Sequence, residues 1–274
     1  EPLCSGEMIP MSSRKALFFD VDGTLLDEKT RRIPESAVKA VQEARRQGHL
    51  AFVNSGRVSR LLDSVRDMIE MDGWLCGCGT YLIAGGRKLY ARSIPHERGV
   101  EIRRLLKQYR IEGMLEGKGG CYLPEAVSWM PAIERSRRLI AAQGALSPLP
   151  LEDESYDYDK FCCITDENSD KEGFFGNLQA DFDIIDRGNN FWECVPKGHS
   201  KATAIAAVLK EYGLSLEDAY VFGDSTNDLP MFAYAKNRVL MGKHDRELEV
   251  FDSFLTRNVE DDGIAWALKQ LGLI

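Results

Sequence analysis

The chain has 274 residues, 44% apolar and 28% charged, with 43 acidic against 35 basic side chains and a formal charge of −8. That length permits one large domain or two modest ones with a sizeable core. The acidic excess argues against a nucleic-acid partner, and no apolar run reaches the roughly 18 to 20 residues of a membrane span.

The opening "EPLCSGEMIPMSS" lacks the basic-then-apolar pattern of a secretory signal, so residues 1–10 read as an extension or an appended remnant before Met11. "KALFF" then reads as a core strand. It stops at Asp20, gives Asp22 one residue later, and turns through Gly23 and Thr24. A helix is predicted from Pro34, with Ala37, Val38, Val41 and Ala44 on one face and Gly48 as its stop. "LAFVNS" is a second strand leading into Ser55, Gly56 and Arg57. An amphipathic stretch through Leu61, Leu62, Val65, Met68 and Ile69 follows, then "GWLCGCG".

From about Lys88 to Cys194 the pattern changes. Helical periodicity at 96–109, 131–143 and 170–179 alternates with the strands "KFCCI", "FDIID" and "FWECV", and "DRGNN" reads as a hairpin turn. A proline-punctuated acidic loop occupies 146–159. Clustered strands with helices on one side predict a separate α+β unit. The first rhythm then returns: a helix from Lys201 to Tyr212 ending at Gly213, strands at "DAYVFGD", "RVLMG" and "SFLT", and a last helix carrying Ile264, Trp266, Ala267, Leu268 and Leu271. Apolar strands separated by helices predict a mostly parallel sheet covered on both faces.

Seven cysteines form no framework. Cys162 and Cys163 are adjacent in an apolar strand and point to opposite faces, as core filler does. Cys76 and Cys78 have no second pair to complete a zinc set, so reduced thiols in a cytoplasm are the simpler reading.

Four polar signals fall at strand ends or helix starts, where open α/β sheets build their sites. They are Asp20 with Asp22; Ser55, Gly56 and Arg57; Lys201; and "GDSTND" with Asp224, Asn227 and Asp228. Each alone has an ordinary reading as a turn, a helix cap or a solvated residue. The ordered set does not. Carboxylates gathered at one point suppress one another's ionisation unless a hard cation such as Mg²⁺ joins them. Lys201, the Ser55 hydroxyl and the amides around Gly56 would meet an anion. The pattern predicts Mg²⁺ and a phosphate ester. Lys197 competes with Lys201 but lies in a Pro-Gly turn, whereas Lys201 opens an apolar-periodic helix. His199 reads as a surface or hinge residue, and Trp74, Trp129 and Trp192 are assigned no ligand.

In order, "DVDGT", "NSGR", Lys201 and "GDSTND" resemble the four motifs of the haloacid dehalogenase superfamily of phosphohydrolases, and the long insert resembles its Cof-like sugar-phosphate phosphatases. The resemblance implies an α/β fold: a doubly wound, mostly parallel Rossmann-like core at 11–87 and 195–274, with an inserted α+β cap at 88–194. Hinges are expected near Gly85–Gly86 and Pro196–Gly198. It also implies roles. Asp20 is the nucleophile that forms an aspartyl-phosphate, and Asp22 the acid and then the base. Mg²⁺ falls to Asp20, the Asp22 carbonyl and Asp224, with Asp228 or Asn227 in support. Ser55, Gly56, Lys201 and Asn227 hold the phosphoryl group, and Arg57 reaches substrate or braces the loop. Segment 116–125 and the hairpin at Asn189 and Asn190 are candidate specificity elements. The expected partner is a small phosphorylated metabolite in the cytoplasm, with no nucleic acid and no membrane, for a monomer or dimer. A phosphomutase and a non-catalytic phosphometabolite-binding regulator are the alternatives. A receiver domain is disfavoured, because it needs neither the second aspartate nor the insert.

Overall fold

The computed structural model describes residues 14–274. The extension expected at 1–10 lies outside the described residues. The first strand, β1 (Ala16–Phe19), is apolar on both faces: Leu17 and Phe19 enter one core layer, Ala16 and Phe18 the other. Helix α1 (Glu35–Arg46) buries its Ala37, Ala40, Val41 and Ala44 stripe. Then come β2 (Leu50–Asn54), the short α2 (Asp63–Arg66), β3 (Gly73–Cys76), β4 (Tyr81–Ala84) and β5 (Arg87–Ala91). The insert runs α3 (His96–Gln108), β6 (Glu112–Gly117), β7 (Gly120–Tyr122), α4 (Pro131–Ala142), β8 (Lys160–Ile164), α5 (Lys171–Leu178), β9 (Phe182–Asp186) and β10 (Phe191–Pro196). The chain returns through α6 (Lys201–Tyr212), β11 (Ala219–Gly223), α7 (Leu229–Tyr234), β12 (Asn237–Leu240), β13 (Phe254–Leu255) and α8 (Gly263–Gln270).

Two sheets result. The larger has eight strands in the order β13-β12-β11-β1-β2-β3-β4-β5, parallel from β13 to β3 with β4 and β5 antiparallel at one edge. Helices α1 and α8 cover one face, and α6 and α7 the other. From β1 the chain moves outward to β2, and later returns to β11 on the other side. The carboxyl end of β1 is therefore a topological switch point, where crevices open in such sheets. Register fixes what lies there. Phe19 stands opposite both Phe222 and Val53, so Asp20, Gly223–Asp224 and Asn54–Ser55, at or just past the ends of their strands, emerge side by side.

The smaller sheet is antiparallel, in the order β7-β6-β8-β10-β9. Cys163 packs with α3 and α5 on one face, and Cys162 on the other, so the adjacent cysteines divide between layers as expected. The six described cysteines are buried and free.

Two expectations need correction. Helix α4 packs through Ile133 and Ile140 on the face opposite α3 and α5, so the helices are not confined to one side. Helical periodicity reveals an apolar stripe, but not which sheet face receives it. Residues 88–91 and Gly85–Gly86 also belong elsewhere: β5 pairs with β4 in the large sheet, and the two glycines, at φ 55° and 73°, turn that hairpin. The chain crosses to the small sheet at 92–95 instead. "RKLYA" is an edge strand with little burial, so it carries almost no hydrophobic signal. Val195 and Pro196, expected in the core, instead pair with Asp183 and Phe182 of β9, so the return to α6 runs through 197–200. Among the described residues, no helix is long and apolar enough to cross a membrane.

Candidate active site

The turn after β1 brings its own side chains back to the sheet. Leu25 and Leu26 amides both donate to the Val21 carbonyl, and Gly23 adopts φ 79°. A Cβ on Gly23 would lie 2.4 Å from Asp224 Oδ2, so only glycine lets this backbone approach that carboxylate. Thr24 Oγ1 donates to Asp224 Oδ1 at 2.6 Å, tying the first motif to the last. The Asp22 carbonyl takes no part in the turn's main-chain hydrogen bonds.

Asp20, Asp224 and Asp228 each offer a carboxylate oxygen, all within 4.8 Å of one another. Burial pushes Asp20 up to about 7, against the pull of Lys201 and with help from Asp228. Burial, then Asp20, then Asp228 raise Asp224 to about 8. Lys201 is the counter-charge. Its side chain is fully buried, and Nζ lies 2.7 Å from Asp20 Oδ1, 2.5 Å from Asp228 Oδ1 and 3.1 Å from Asn227 Oδ1. Burial opposes its charge, but Asp20 and Asp228 outweigh that and raise it above the ordinary lysine value. Lys197 lies apart, on the Gln179 carbonyl.

The three carboxylates are not equivalent. Asp228 Oδ2 accepts the Asp224 and Ser225 amides at 2.9 and 3.1 Å, while its Oδ1 takes Lys201. With both oxygens engaged, Asp228 orients the loop and the lysine. Asp20 and Asp224 are the freer oxygen donors, and they suit a hard cation. Asp22 points elsewhere. Arg57 grips its carboxylate in a two-pronged pair, with Nε to Oδ2 at 2.7 Å, and Arg31 adds a contact at 3.4 Å. Arg57 also reaches the Leu61 carbonyl and Gln143, so it braces Asp22 against both the loop and the insert.

Ser55 is buried, its Oγ accepting the Arg57 amide at 3.2 Å and its carbonyl taking the Cys78 amide at 3.1 Å. A Cβ on Gly56 would meet Asn227 Nδ2 at 3.4 Å, which puts the second motif beside the fourth. His199 is held by Tyr90 and the Pro196 carbonyl, at the return crossing. Cavities of about 660 and 480 Å³ both lie within the insert and include none of these residues.

Sequence reasoning passed over three contributors. Asn54 Nδ2 donates to the Lys201 carbonyl at 3.0 Å, pinning the start of α6 to β2. Thr24 anchors Asp224. Glu193, from the insert, comes within 3.2 Å of the position a Gly56 Cβ would take. A polar residue closing an apolar strand is the available signal for Asn54. Nothing local marks Glu193.

Residues 17–268 match the family model of haloacid dehalogenase-like hydrolases. The putative phosphatase YkrA of Bacillus subtilis is 31% identical over 268 residues, covering 95% of this chain and 98% of its own. Among solved structures, a hypothetical protein of Geobacillus kaustophilus superposes with a TM-score of 0.82 at 27% identity, over 96% of this chain and 100% of the other. The sugar phosphatase BT4131, of subclass IIB, gives a TM-score of 0.80 at 24% identity, over 95% and 100%, a likeness of fold. Four strand-end segments brought to one point, in a chain matched almost end to end, place it in that family: the protein belongs to the haloacid dehalogenase-like hydrolases and is a Cof-like phosphatase.

Proposed function

We propose that the protein hydrolyses small phosphomonoesters, sugar phosphates foremost, with Mg²⁺ and through an aspartyl-phosphate on Asp20. The observation that carries this reading is the convergence of Asp20, Asp224 and Lys201 beside the Ser55–Gly56 loop at one switch point. The Asp20 oxygen not held by Lys201 attacks phosphorus, and the bond from phosphorus to the ester oxygen breaks as Asp22 protonates the departing alcohol. Water then attacks the phosphoryl group, giving its proton to Asp22, and the bond to Asp20 breaks to release phosphate. Lys201, Asn227, Ser55 and the Gly56 amide hold the phosphoryl oxygens as charge develops on them.

The donor set fits Mg²⁺. Asp20 and Asp224 supply hard oxygens whose ionisation is costly without a cation, and the Asp22 carbonyl is a third. The ion would supply positive charge against the transferring phosphoryl group. Asp228 supports the site through Lys201 and the 224–225 amides.

The test is phosphate release from a panel of phosphomonoesters with and without Mg²⁺, beside Asp20→Asn. A loss of about a thousandfold or more is expected for the variant, in line with removal of a covalent nucleophile. Full turnover by Asp20→Asn rejects the mechanism. Isomerised sugar phosphate in place of free phosphate would replace hydrolysis by mutase chemistry.

A further inference from the structure

The turn that joins β3 to β4 contains three consecutive residues in the left-handed region: Gly77 at φ 59°, Cys78 at φ 53° and ψ 41°, and Gly79 at φ 88°. Glycine enters that region freely, whereas a side chain there crowds its own backbone. Among the described residues, six that are not glycine do so. Arg31, Arg110, Asn189, Asn190 and Asp262 are exposed, and Cys78 alone is buried. A four-residue hairpin loop has less strained forms. Holding a buried cysteine in this one calls for a role beyond reversing the chain.

The contacts of the turn supply that role. Its first two amides point at the loop after β2: Gly77 N donates to the Arg57 carbonyl at 2.8 Å, and Cys78 N to the Ser55 carbonyl at 3.1 Å. The carbonyl between them, that of Gly56, takes Lys160 Nζ at 3.2 Å. All three carbonyls of the Ser55–Arg57 loop are therefore held by donors, and the Arg57 amide is turned onto Ser55 Oγ. Among the described residues the Gly56 amide meets no acceptor, which leaves it for the phosphoryl oxygens. Cys78 Sγ packs close by, 3.4 Å from where a Gly56 Cβ would stand. On its other side the turn meets the start of α6. A Cβ on Gly79 would lie 2.6 Å from the Ser200 carbonyl and 3.1 Å from Thr203 Oγ1, so the missing side chain lets α6 carry Lys201 this close. The Cys78 thiol donates to Glu193 Oε1 at 3.4 Å. Burial first and Glu193 second push its proton affinity up, so it stays a thiol and serves through the backbone it fixes.

We infer that Cys78 is a positioning residue, and the Gly77–Gly79 turn the element that aligns two motifs: it holds the Ser55–Arg57 loop with its Gly56 amide free, and it seats the start of α6 so that Lys201 reaches Asp20. The inference rests on the phosphatase reading and deepens it. The turn itself touches no substrate; it acts through Gly56 and Lys201.

The experiment contrasts Cys78→Val, whose branched Cβ opposes the left-handed backbone, with Cys78→Gly, which restores that backbone and drops the thiol. Hydrolysis of p-nitrophenyl phosphate and its inhibition by inorganic phosphate are measured with Mg²⁺, well below the melting temperature of each variant. Cys78→Val should lose about 10- to 100-fold in kcat/KM and weaken phosphate inhibition by about tenfold. Its apparent Mg²⁺ affinity should hold, because the turn donates no main-chain hydrogen bond to Asp20 or Asp224. Cys78→Gly should rescue kcat/KM to within about threefold of the wild type. Gly79→Ala, which presses on the Ser200 carbonyl, should lower kcat by about tenfold. A merely structural role would lower melting temperatures without separating phosphate inhibition from the Mg²⁺ response. Should Cys78→Val not fold, Cys78→Ala opposes the backbone less and is read by the same measurements. A folded Cys78→Val protein with wild-type kcat/KM and inhibition overturns the inference, as does Cys78→Gly impaired as much as Cys78→Val, or Gly79→Ala at wild-type kcat. Calorimetry of inorganic phosphate with Mg²⁺ reads the loop without turnover. Phosphate binding that weakens in Cys78→Val, in a protein that hydrolyses no ester, sinks the phosphatase reading alone. Turnover in a protein whose phosphate binding ignores position 78 sinks the inference alone.

Discussion

Asp20 is buried and Asp224 half-buried, the two carboxyl groups facing each other across the switch point, and their proton affinities make the site's electrostatics measurable. Both are raised, to about 7 and about 8, chiefly by burial. A raised folded-state value means the folded protein holds the proton more tightly than the unfolded chain. Without a cation, stability should therefore fall as pH rises from the ordinary carboxylate range to about 8, then level off. Thermal melts in chelator from pH 5.5 to 8 should show that decline, and Mg²⁺ should raise the melting temperature most at the alkaline end. A chelated protein equally stable at both ends would contradict the assignment. Arg57 offers a second probe. Its two-pronged grip fixes the Asp22 carboxylate in place beside the loop. Arg57→Ala should lower kcat more than it raises KM, which steady-state kinetics would separate from a role in substrate binding. The four motifs gave Asp20, Asp224 and Lys201 away because each ends a strand or starts a helix. The division of labour between Asp224 and Asp228 was not legible, since it depends on which oxygens the 224–225 amides and Lys201 occupy.

Among the elements, α6 shows how local rules place a buried charge. Ser200 caps it in a capping box with Thr203, Gly213 ends it at φ 64°, and Lys201 opens it beneath the acid cluster. Ser200→Ala should cost about 1 kcal/mol, a fall of about 2–4 °C in melting temperature, while Lys201 stays tethered by Asp20 and Asp228. A variant that melts like the wild type would deny the cap its weight. Gly23→Ala acts differently, because a methyl 2.4 Å from Asp224 Oδ2 must displace it. Weaker apparent Mg²⁺ affinity, by about 10- to 100-fold, is expected in activation curves. Elements with an apolar period, such as α1, α6, β1 and β11, were readable from the chain because burial on a given face fixes their composition. The edge strand β5 was not, because its exposed side chains leave no pattern.

Across the whole molecule, three apolar layers each belong to one sheet, and the fourth, under α4, is shared between the two beside the charged contact of Lys160 with Gly56. Leu115, Phe161, Phe174 and Phe182 pack within the insert, whereas Val58 and Leu61 come from the large sheet's side to complete the layer under α4. Segment 92–197 by itself is therefore expected to fold cooperatively, at a lower melting temperature than in the full chain. A fragment without a cooperative transition, followed by circular dichroism, would show that the insert depends on the core. The elements β1, α1, β2, β3, α6, β11 and α8, the interval between motifs that holds the insert, and the residues of the four motifs were determined by the sequence itself. Each follows from periodicity, chain length between motifs, or the chemistry of a strand end. Pairing register, the choice of face for α4, and the approach of Glu193 and Lys160 to Gly56 were decided only in three dimensions. The last of these joins residues more than a hundred positions apart in the chain, and a contact between sheets leaves no periodicity in either segment.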